Sequence, residues 1–379
     1  MLRVHKIALD PNNVQETFFK KAAGCARFAF NWALEQWDKM RWSGEKPNEA
    51  ALRREFNAIK AEEFPFFLEI PKTVPQQAIK NLGAAFNRFF NNVRQGRRIG
   101  SKKNPYGRPR FKKRGKHDSF RMDNGPPSQG VDAVKIDGNR IYVPKLGWVR
   151  MRECVRFQGW IKSAVISRVA DRWFVSLTID VEDHVLPRKS HGVVGVDLGI
   201  KTLAWLSNGE PVPGPKPLHG LPRLARMQRS LARKVKGSAN YGKLKAKIAR
   251  LHARIANLRR EALHQLSHKL ASGFALIGIE DLNVSGILKN GKLSRAIADM
   301  GFYELRRQLE YKAMLYGGRL IVVDRWLPSS KACSGCGVVK DELLLSTRTY
   351  ECHHCGLVID RDLNAALNIE TAASSAAAA

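Results

Sequence analysis

Residues 331–369 read KACSGCGVVKDELLLSTRTYECHHCGLVIDRDLNAALNI. Cys333, Cys336, Cys352 and Cys355 form two CxxC pairs separated by fifteen residues. That spacing lies within the range of a four-thiolate structural zinc site. Each pair would bite one side of a tetrahedron from a tight turn, helped by Gly335, Gly337 and Gly356. Four soft ligands close the coordination sphere, so the expected metal is structural. It would stand in for a core that about 25 residues cannot build alone. An iron–sulfur cluster or a redox thiol pair is the competing use of four cysteines. His353 and His354 are expected to face solvent or phosphate. Directly after the second pair, Asp360 and Asp362 precede a short helical run, LNAALNI.

Two further acids stand out upstream. Asp197 ends an apolar strand, VVGVD, and Glu280 ends another, ALIGIE. Burying an unpaired carboxylate is costly, so an acid ending a buried strand needs a reason. Singly, each reads as an ordinary strand-end or capping residue, and Asp is a favoured helix N-cap. Together Asp197, Glu280 and Asp362 border one predicted sheet. Hard oxygen ligands gathered in one place suit Mg2+ or Mn2+. Two such ions about 4 Å apart can activate a water and stabilise the leaving oxygen of a phosphodiester.

The overall charge points the same way. The chain has 379 residues, 65 of them Lys or Arg against 34 acids, a net charge of +31. A compact state carrying that charge repels itself unless a polyanion neutralises it, and nucleic acid is the natural partner. Residues 94–116 contain Arg108, Arg110, Lys112, Lys113 and Arg114 among other cations, and no acid. Tyr106 and Phe111 are interleaved with them. Cations for phosphates and rings for bases suit a nucleic-acid strand better than a plain basic linker. Residues 222–271 read as long basic helices hinged near 237–242, with Arg233, Lys234 and Lys247 on the outer faces. Their seam, Leu244, Ile248, Leu251, Ile255, Leu258 and Ala262, steps by four and three as a coiled coil does. The remaining cysteines, Cys25 and Cys154, are too few for a disulfide framework and read as buried small hydrophobes. No apolar run reaches transmembrane length and the N-terminus has no apolar leader, so an intracellular protein is expected.

The organisation is mixed. Residues 2–9 alternate as a strand. Helices are predicted near 14–40, 48–61 and 74–95, the first with a stripe of Phe18, Ala22, Cys25, Phe28 and Trp32. Short Val- and Ile-rich segments from 119 to 184 predict a small antiparallel barrel that strand 2–9 joins. From 191 the pattern turns α/β, with a helix over 295–316. The segment TAASSAAAA is low-complexity and carries no assigned role.

GVDLGIKTLAWL, IGIEDLN, SSKACSGCG, YECHHCG and DRDLNAALNI together resemble the TnpB proteins of insertion-sequence transposons, which are similar to type V CRISPR effectors. The resemblance extends upstream through RFAFNWAL, PQQAIKNLGAAFNRFF, GRPRFKKRGKHDSFRM and VPKLGWVRMR. It implies an α+β multidomain protein. An RNase H-like (RuvC) nuclease domain would span 191–330 and 357–371, interrupted by a zinc-ribbon, target-nucleic-acid-binding insert at 331–356. A wedge β-barrel would span 1–12 and 113–190, with a helical recognition domain, 13–112, inserted in it. Residues 372–379 would form a separate tail. The implied catalytic triad is Asp197, Glu280 and Asp362, with Asp362 chosen over Asp360 because it lies two residues before Asn364. The implied partners are a guide RNA from the transposon end and double-stranded target DNA, bound by a monomer in the RNA complex. Cutting would occur beside a short transposon-adjacent motif, near whose reading surface Lys72 and Gln76 fall. The expected location is the prokaryotic cytoplasm, on the nucleoid. Three readings compete: a nuclease-inactive RNA-guided repressor, an RNase H-like transposase, and a plain RNA-binding or ribosomal factor, which would explain the charge but not the strand-end acids.

Overall fold

In the computed structural model the described residues are 1–125, 133–182, 185–187, 192–214, 221–289, 291, 294–344 and 347–378. The chain divides into two compact units, residues 1–183 and 184–379.

The first unit begins with β1 (Leu2–Ala8), followed by α1 (Asn13–Trp42), α2 (Glu49–Ile59) and α3 (Thr73–Arg94). Asn12 opens α1 with a capping box, accepting from Gln15 N while the Gln15 side chain accepts from Asn12 N, which satisfies two of the helix's unpaired donors. The strands are β2 (Ser119–Asp123), β3 (Lys135–Asp137), β4 (Arg140–Val143), β5 (Gly147–Arg150), β6 (Trp160–Val169) and β7 (Arg172–Asp180). They form two antiparallel sheets, ordered β1-β7-β6-β2 and β3-β4-β5. A bridge between Leu9 and Met151 joins the ends of β1 and β5. Strand β1 pairs along its whole length with β7, from Leu2 opposite Asp180 to Ala8 opposite Phe174. The helices are therefore an excursion between β1 and β2 of one sheet. One core, from Ile7 through Phe19, Phe56 and Phe86 to Trp173, serves helices and strands alike.

The face of α1 differs from the predicted stripe. Ala22 and Cys25 are buried, but so are Phe19, Ala26, Ala29, Ala33 and Leu34, while Phe28 is exposed. Small residues let α1 lie close to its neighbours, and the larger Phe28 is displaced to a rim of rings, Phe64, Phe66 and Phe67. Cys154 is exposed, not buried. It precedes β6 in an irregular stretch whose apolar neighbours do not close over it.

The second unit contains β8 (Val193–Leu198), β9 (Ala204–Leu206), β10 (Pro211–Val212), α4 (Leu221–Ala232), α5 (Ala239–Gly273) and β11 (Leu276–Glu280). There follow α6 (Val284–Ile287), α7 (Ser294–Met300), α8 (Phe302–Leu315) and β12 (Arg319–Val323). The chain ends with β13 (Thr349–Glu351), β14 (Val358–Asp360) and α9 (Arg361–Ala378). The main sheet runs β10-β9-β8-β11-β12. Strands β8, β11 and β12 are parallel, and β9 runs against β8. Residues alternate across it. Val194, Val196, Ile277 and Ile279 face one core with Leu263, Leu270, Leu305 and Leu309 of α5 and α8, whereas Gly195 and Gly278 face α9.

Three expectations need correction here. The helix predicted over 295–316 is broken at Gly301, whose φ of 69° lies in the left-handed region, so α7 and α8 are separate. The predicted coiled-coil seam stops at Ile255. Leu258 is exposed, and burial resumes at Leu263, Leu266 and Leu270, because the partner changes from α4 to α8 and the sheet. Residues 372–378 are no separate tail, since they continue α9 and Ala373 is fully buried beside Val323 and Ile369.

Candidate metal-dependent active site

Glycine places the acids. In the parallel register Gly278 lies opposite Gly195 and Ile279 opposite Val196, so Asp197 and Glu280 come next, side by side on adjoining strands. Each follows its glycine by two residues and therefore shares its face. A Cβ on Gly195 would lie 2.0 Å from the Ala366 carbonyl oxygen and 2.5 Å from Glu370 N. A Cβ on Gly278 would lie 2.7 Å from the Ala373 Cβ. The two glycines form a bare seat on which alanine-rich α9 rests directly. That seat brings the first turn of α9, with Asp362, to the acidic edge.

Asp197 feels the charge of both other acids. Burial, the neighbouring Glu280 and then Asp362 push the Asp197 carboxyl up to about 7, against a smaller opposing pull from Arg361. Like charges held close raise one another's proton affinity. Asp362 is met by Arg361, whose Nε lies 3.3 Å and Nη2 3.2 Å from Oδ1, and by Arg348, 3.6 Å from Oδ2. Glu280 accepts from the Ser329 hydroxyl. Asp360 turns to the backbone instead. Its Oδ1 accepts from Asp362 N at 2.8 Å and Leu363 N at 3.2 Å. It is the N-cap of α9, a role that sequence reasoning considered for Asp362. Asp362 is consequently left in the first turn with its carboxylate available.

The four cysteine sulfurs all lie within 4.8 Å of one another. Cys333 and Cys355 are 3.5 Å apart and Cys336 and Cys352 3.6 Å. A tetrahedron of zinc–sulfur bonds has edges of about 3.8 Å, so the cluster fits that ion. The two knuckles repeat one geometry. Gly337 N bonds Cys333 O and Gly356 N bonds Cys352 O, each at 2.9 Å, with both glycines at positive φ. Backbone N–H groups of Cys355, then His354, draw the Cys352 thiol down to about 6, which favours the thiolate that binds metal. His353 and His354 are exposed and outside the cluster. The ribbon does not end at 356. Its second strand, β14, pairs with β13 as far as Asp360 and passes straight into α9.

Two asparagines, Asn364, which served in the sequence only to mark Asp362, and Asn368, tie the cysteine loop to α9. Asn364, fully buried, accepts from Ser334 N at 2.9 Å and donates to Ala332 O at 2.7 Å. Asn368 donates to Ser329 O and Ala332 O. These groups flank Cys333, and Ser329 also holds Glu280. The signal was the period of DLNAALN, which sets Asp362, Asn364 and Asn368 within two turns.

The predicted nucleic-acid contacts are less uniform. Lys72 is exposed and Gln76 half-buried at the start of α3. Arg110, Lys113, Arg114, Arg233 and Lys247 are exposed, and Lys234 is half-buried in the turn between α4 and α5. Arg108 is engaged by Asp38. Lys112 exchanges two backbone hydrogen bonds with Asn31 and lays its ammonium 4.0 Å from the Phe30 ring centre. Both pin the basic segment to α1 and are not bare cations.

Family models match three regions: a Cas12f1-like TNB domain over 302–369, the probable transposase of IS605 OrfB type over 176–291, and a helix-turn-helix domain over 1–46. The last region holds β1 and the single long helix α1. A Streptomyces pristinaespiralis protein, provisionally named an RNA-guided DNA endonuclease, is 38% identical over 99% of this chain and 90% of its own length. The chain belongs to the TnpB family. InsQ of Escherichia coli K12, another TnpB relative with the same provisional name, is 35% identical over 97% of this chain and 91% of its length. The fold is shared with Cas12f1 in its complex with single guide RNA and target DNA, at a TM-score of 0.60 and 15% identity, covering 95% of this chain and 83% of that one.

Proposed function

We propose that this TnpB protein is an RNA-guided DNA endonuclease that cuts guide-matched double-stranded DNA beside a short adjacent motif. The observation that carries the reading is the gathering of Asp197, Glu280 and Asp362 at one edge of the sheet, where burial first, then Glu280 and Asp362, push the Asp197 carboxyl up to about 7. Such a cluster is unfavourable without cations, and its relatives' names supply the reaction. The sheet order, with β9 reversed beside three parallel strands, supports an RNase H-like domain. The antiparallel sheets and the three helices of the first unit support the wedge and recognition roles. No described helix is long and apolar enough to cross a membrane.

Asp197, Glu280 and Asp362 would hold Mg2+ or Mn2+, which supply an activated water and offset charge on the scissile phosphate. The chain's own contribution is placement. Gly195 and Gly278 set the depth of α9, Asp360 fixes its first turn, and Ser329 orients Glu280. Arg361 and Arg348 neutralise Asp362 while the carboxylates stand alone. Sequence choice would rest with base pairing to the guide, while the protein reads duplex shape and the short motif. Lys72, Gln76 and the exposed cations of 110–114 and 233–247 would contact backbone or motif.

The test is direct. RNA that copurifies with the full chain is sequenced, and a matched linear target is added with Mg2+. Specific double-strand cutting is expected; a complex that binds the matched target and never cuts it would sink the nuclease reading. Below pH about 7, Asp197 holds a proton that metal must displace. At limiting Mg2+ the cutting rate should therefore rise with pH and level off near 7, the limb moving to lower pH as Mg2+ is raised. A flat profile from pH 5 to 8 at limiting Mg2+ would contradict it.

Zn2+ in the cysteine cluster would be structural. Cys333→Ser is expected to lower bound zinc from about one per chain towards none and to cut folded yield severalfold. Elemental analysis of wild-type protein, purified without chelator, checks it; a metal-free preparation that melts cooperatively would refute the structural role.

A further inference from the structure

Two large aromatic side chains in the second unit have no apolar cover. Trp326 is 85% exposed and Tyr303 73%. Single exposed rings are ordinary, but these two flank one cluster of charge. Asp281, the residue after Glu280, accepts from two arginines. Arg306 Nη1 reaches Oδ1 at 2.9 Å and Arg325 Nη2 reaches Oδ2 at 2.6 Å, while Arg325 Nε bonds the Asp281 carbonyl. These bonds hold the Asp281 carboxyl below the usual range.

Two cavities meet at this arginine pair. One, of about 290 Å³, contains Glu280 and Tyr303; the other, of about 450 Å³, contains Trp326; Arg306 and Arg325 line both. Their sizes suit ligand groups. Arg306 also bonds Glu310 through Nε. Arg306 Nη2 and Arg325 Nη1 have no acceptor among the described residues. Arg325 is held along its Nε–Nη2 edge and Arg306 at Nε and Nη1, so each offers one remaining nitrogen at low entropic cost, and phosphate is a usual guanidinium partner.

The geometry points to a nucleotide-binding track leading to Glu280, in which Arg306 and Arg325 grip successive phosphates of a single DNA strand and Trp326 and Tyr303 stack its bases. This rests on the nuclease reading for the identity of the strand. A single strand is required because duplex bases have no free face for a ring. DNA is the occupant, and not the guide, because the track opens beside the carboxylate that would act on the phosphodiester. Asp281 is the positioning residue for both arginines and touches no substrate itself.

The experiment uses the full chain with its copurified RNA. Iododeoxyuridine is placed in the target DNA near the cut, and iodouridine in the RNA in a parallel sample. After illumination the crosslinked peptides are sequenced. DNA-borne crosslinks at Trp326 or Tyr303 are expected; crosslinks there only from the RNA, or from neither strand, overturn the proposal. Trp326→Leu should slow cutting about 10-fold with RNA binding and melting temperature unchanged, and Trp326→Phe should restore at least half the rate. Equal cutting by wild type and the Leu variant also overturns it. Crosslinking does not need hydrolysis, so a wild-type complex that crosslinks at Trp326 but never cuts would fail the nuclease reading and leave the track standing.

Discussion

Asp197→Asn is expected to abolish DNA cutting, by about 10³-fold or more in single-turnover rate, and at the same time to make the metal-free protein more stable. The first effect follows from loss of a hard anionic ligand at the sheet edge. The second follows from what the wild-type carboxylate endures. Its folded pKa is raised to about 7 by burial, Glu280 and Asp362, so its charged form opposes folding. The Asp197 contribution to wild-type stability should therefore fall as pH rises from about 4 to about 7, because the folded state retains a proton there that the unfolded chain releases. The amide has no charge to bury. The variant lacks that contribution, so its unfolding free energy should overtake wild type as pH rises and exceed it at pH 8 by ~1–3 kcal/mol, with a correspondingly higher melting temperature. Added Mg2+ should reverse the order by stabilising wild type alone. Thermal melts at pH 4.5 and 8, with and without Mg2+, read all four values. An Asn variant that cuts at the wild-type rate, or is no more stable at pH 8 without metal, would show the acids to be misassigned.

Gly195→Ala is expected to cost more than a methyl group in a tight core ordinarily does, because its Cβ would meet backbone, the Ala366 carbonyl at 2.0 Å. No rotamer change relieves that contact, so α9 must lift from the sheet. Overpacking of this kind costs about 1–3 kcal/mol or more. The cut rate should fall further, about 10²-fold, since Asp362 moves with the helix and a shift of about 1 Å at a reacting centre carries that order of penalty. Gly278→Ala supplies the internal comparison. There the shortest contact is with the Ala373 Cβ at 2.7 Å, a side chain, and Ile369 Cγ2 and O follow at 3.1 Å, so Ala373→Gly in the same molecule should recover part of the loss. Melting temperature and cut rate of the single and double variants decide it; failure of Ala373→Gly to rescue Gly278→Ala would show that the helix is seated elsewhere.

These two residues also mark where sequence reasoning stopped. Acids at the ends of VVGVD and ALIGIE are legible because a charge after an apolar run is rare and costly. The glycine two places earlier in each strand stands equally plainly in the sequence, yet its purpose depends on a helix far downstream, which no local pattern reveals. The cysteine spacing is local chemistry and could be read directly. That Asp360 caps α9 while Asp362 faces Arg361 and Arg348 turns on a helix boundary, the least certain feature of periodicity. Arg108 and Lys112 count as cations in composition, but long side chains find acceptors and rings on α1 that composition cannot display. The alanine-rich residues after 371 resemble a tail only because small side chains carry little pattern; here smallness is what lets the helix lie on glycine.

The asparagine strap has a consequence for how this region comes apart. Asn364 and Asn368 hold the backbone on both sides of Cys333, and β14 passes into α9 without a linker. The cysteine loop, Asp362 and the rest of α9 are therefore expected to melt together. Their amides should exchange with solvent as one cooperative block, opening together with a single free energy. Damage to a knuckle cysteine would then be felt at the sheet edge not as a weakened contact but as the loss of one of its three acids.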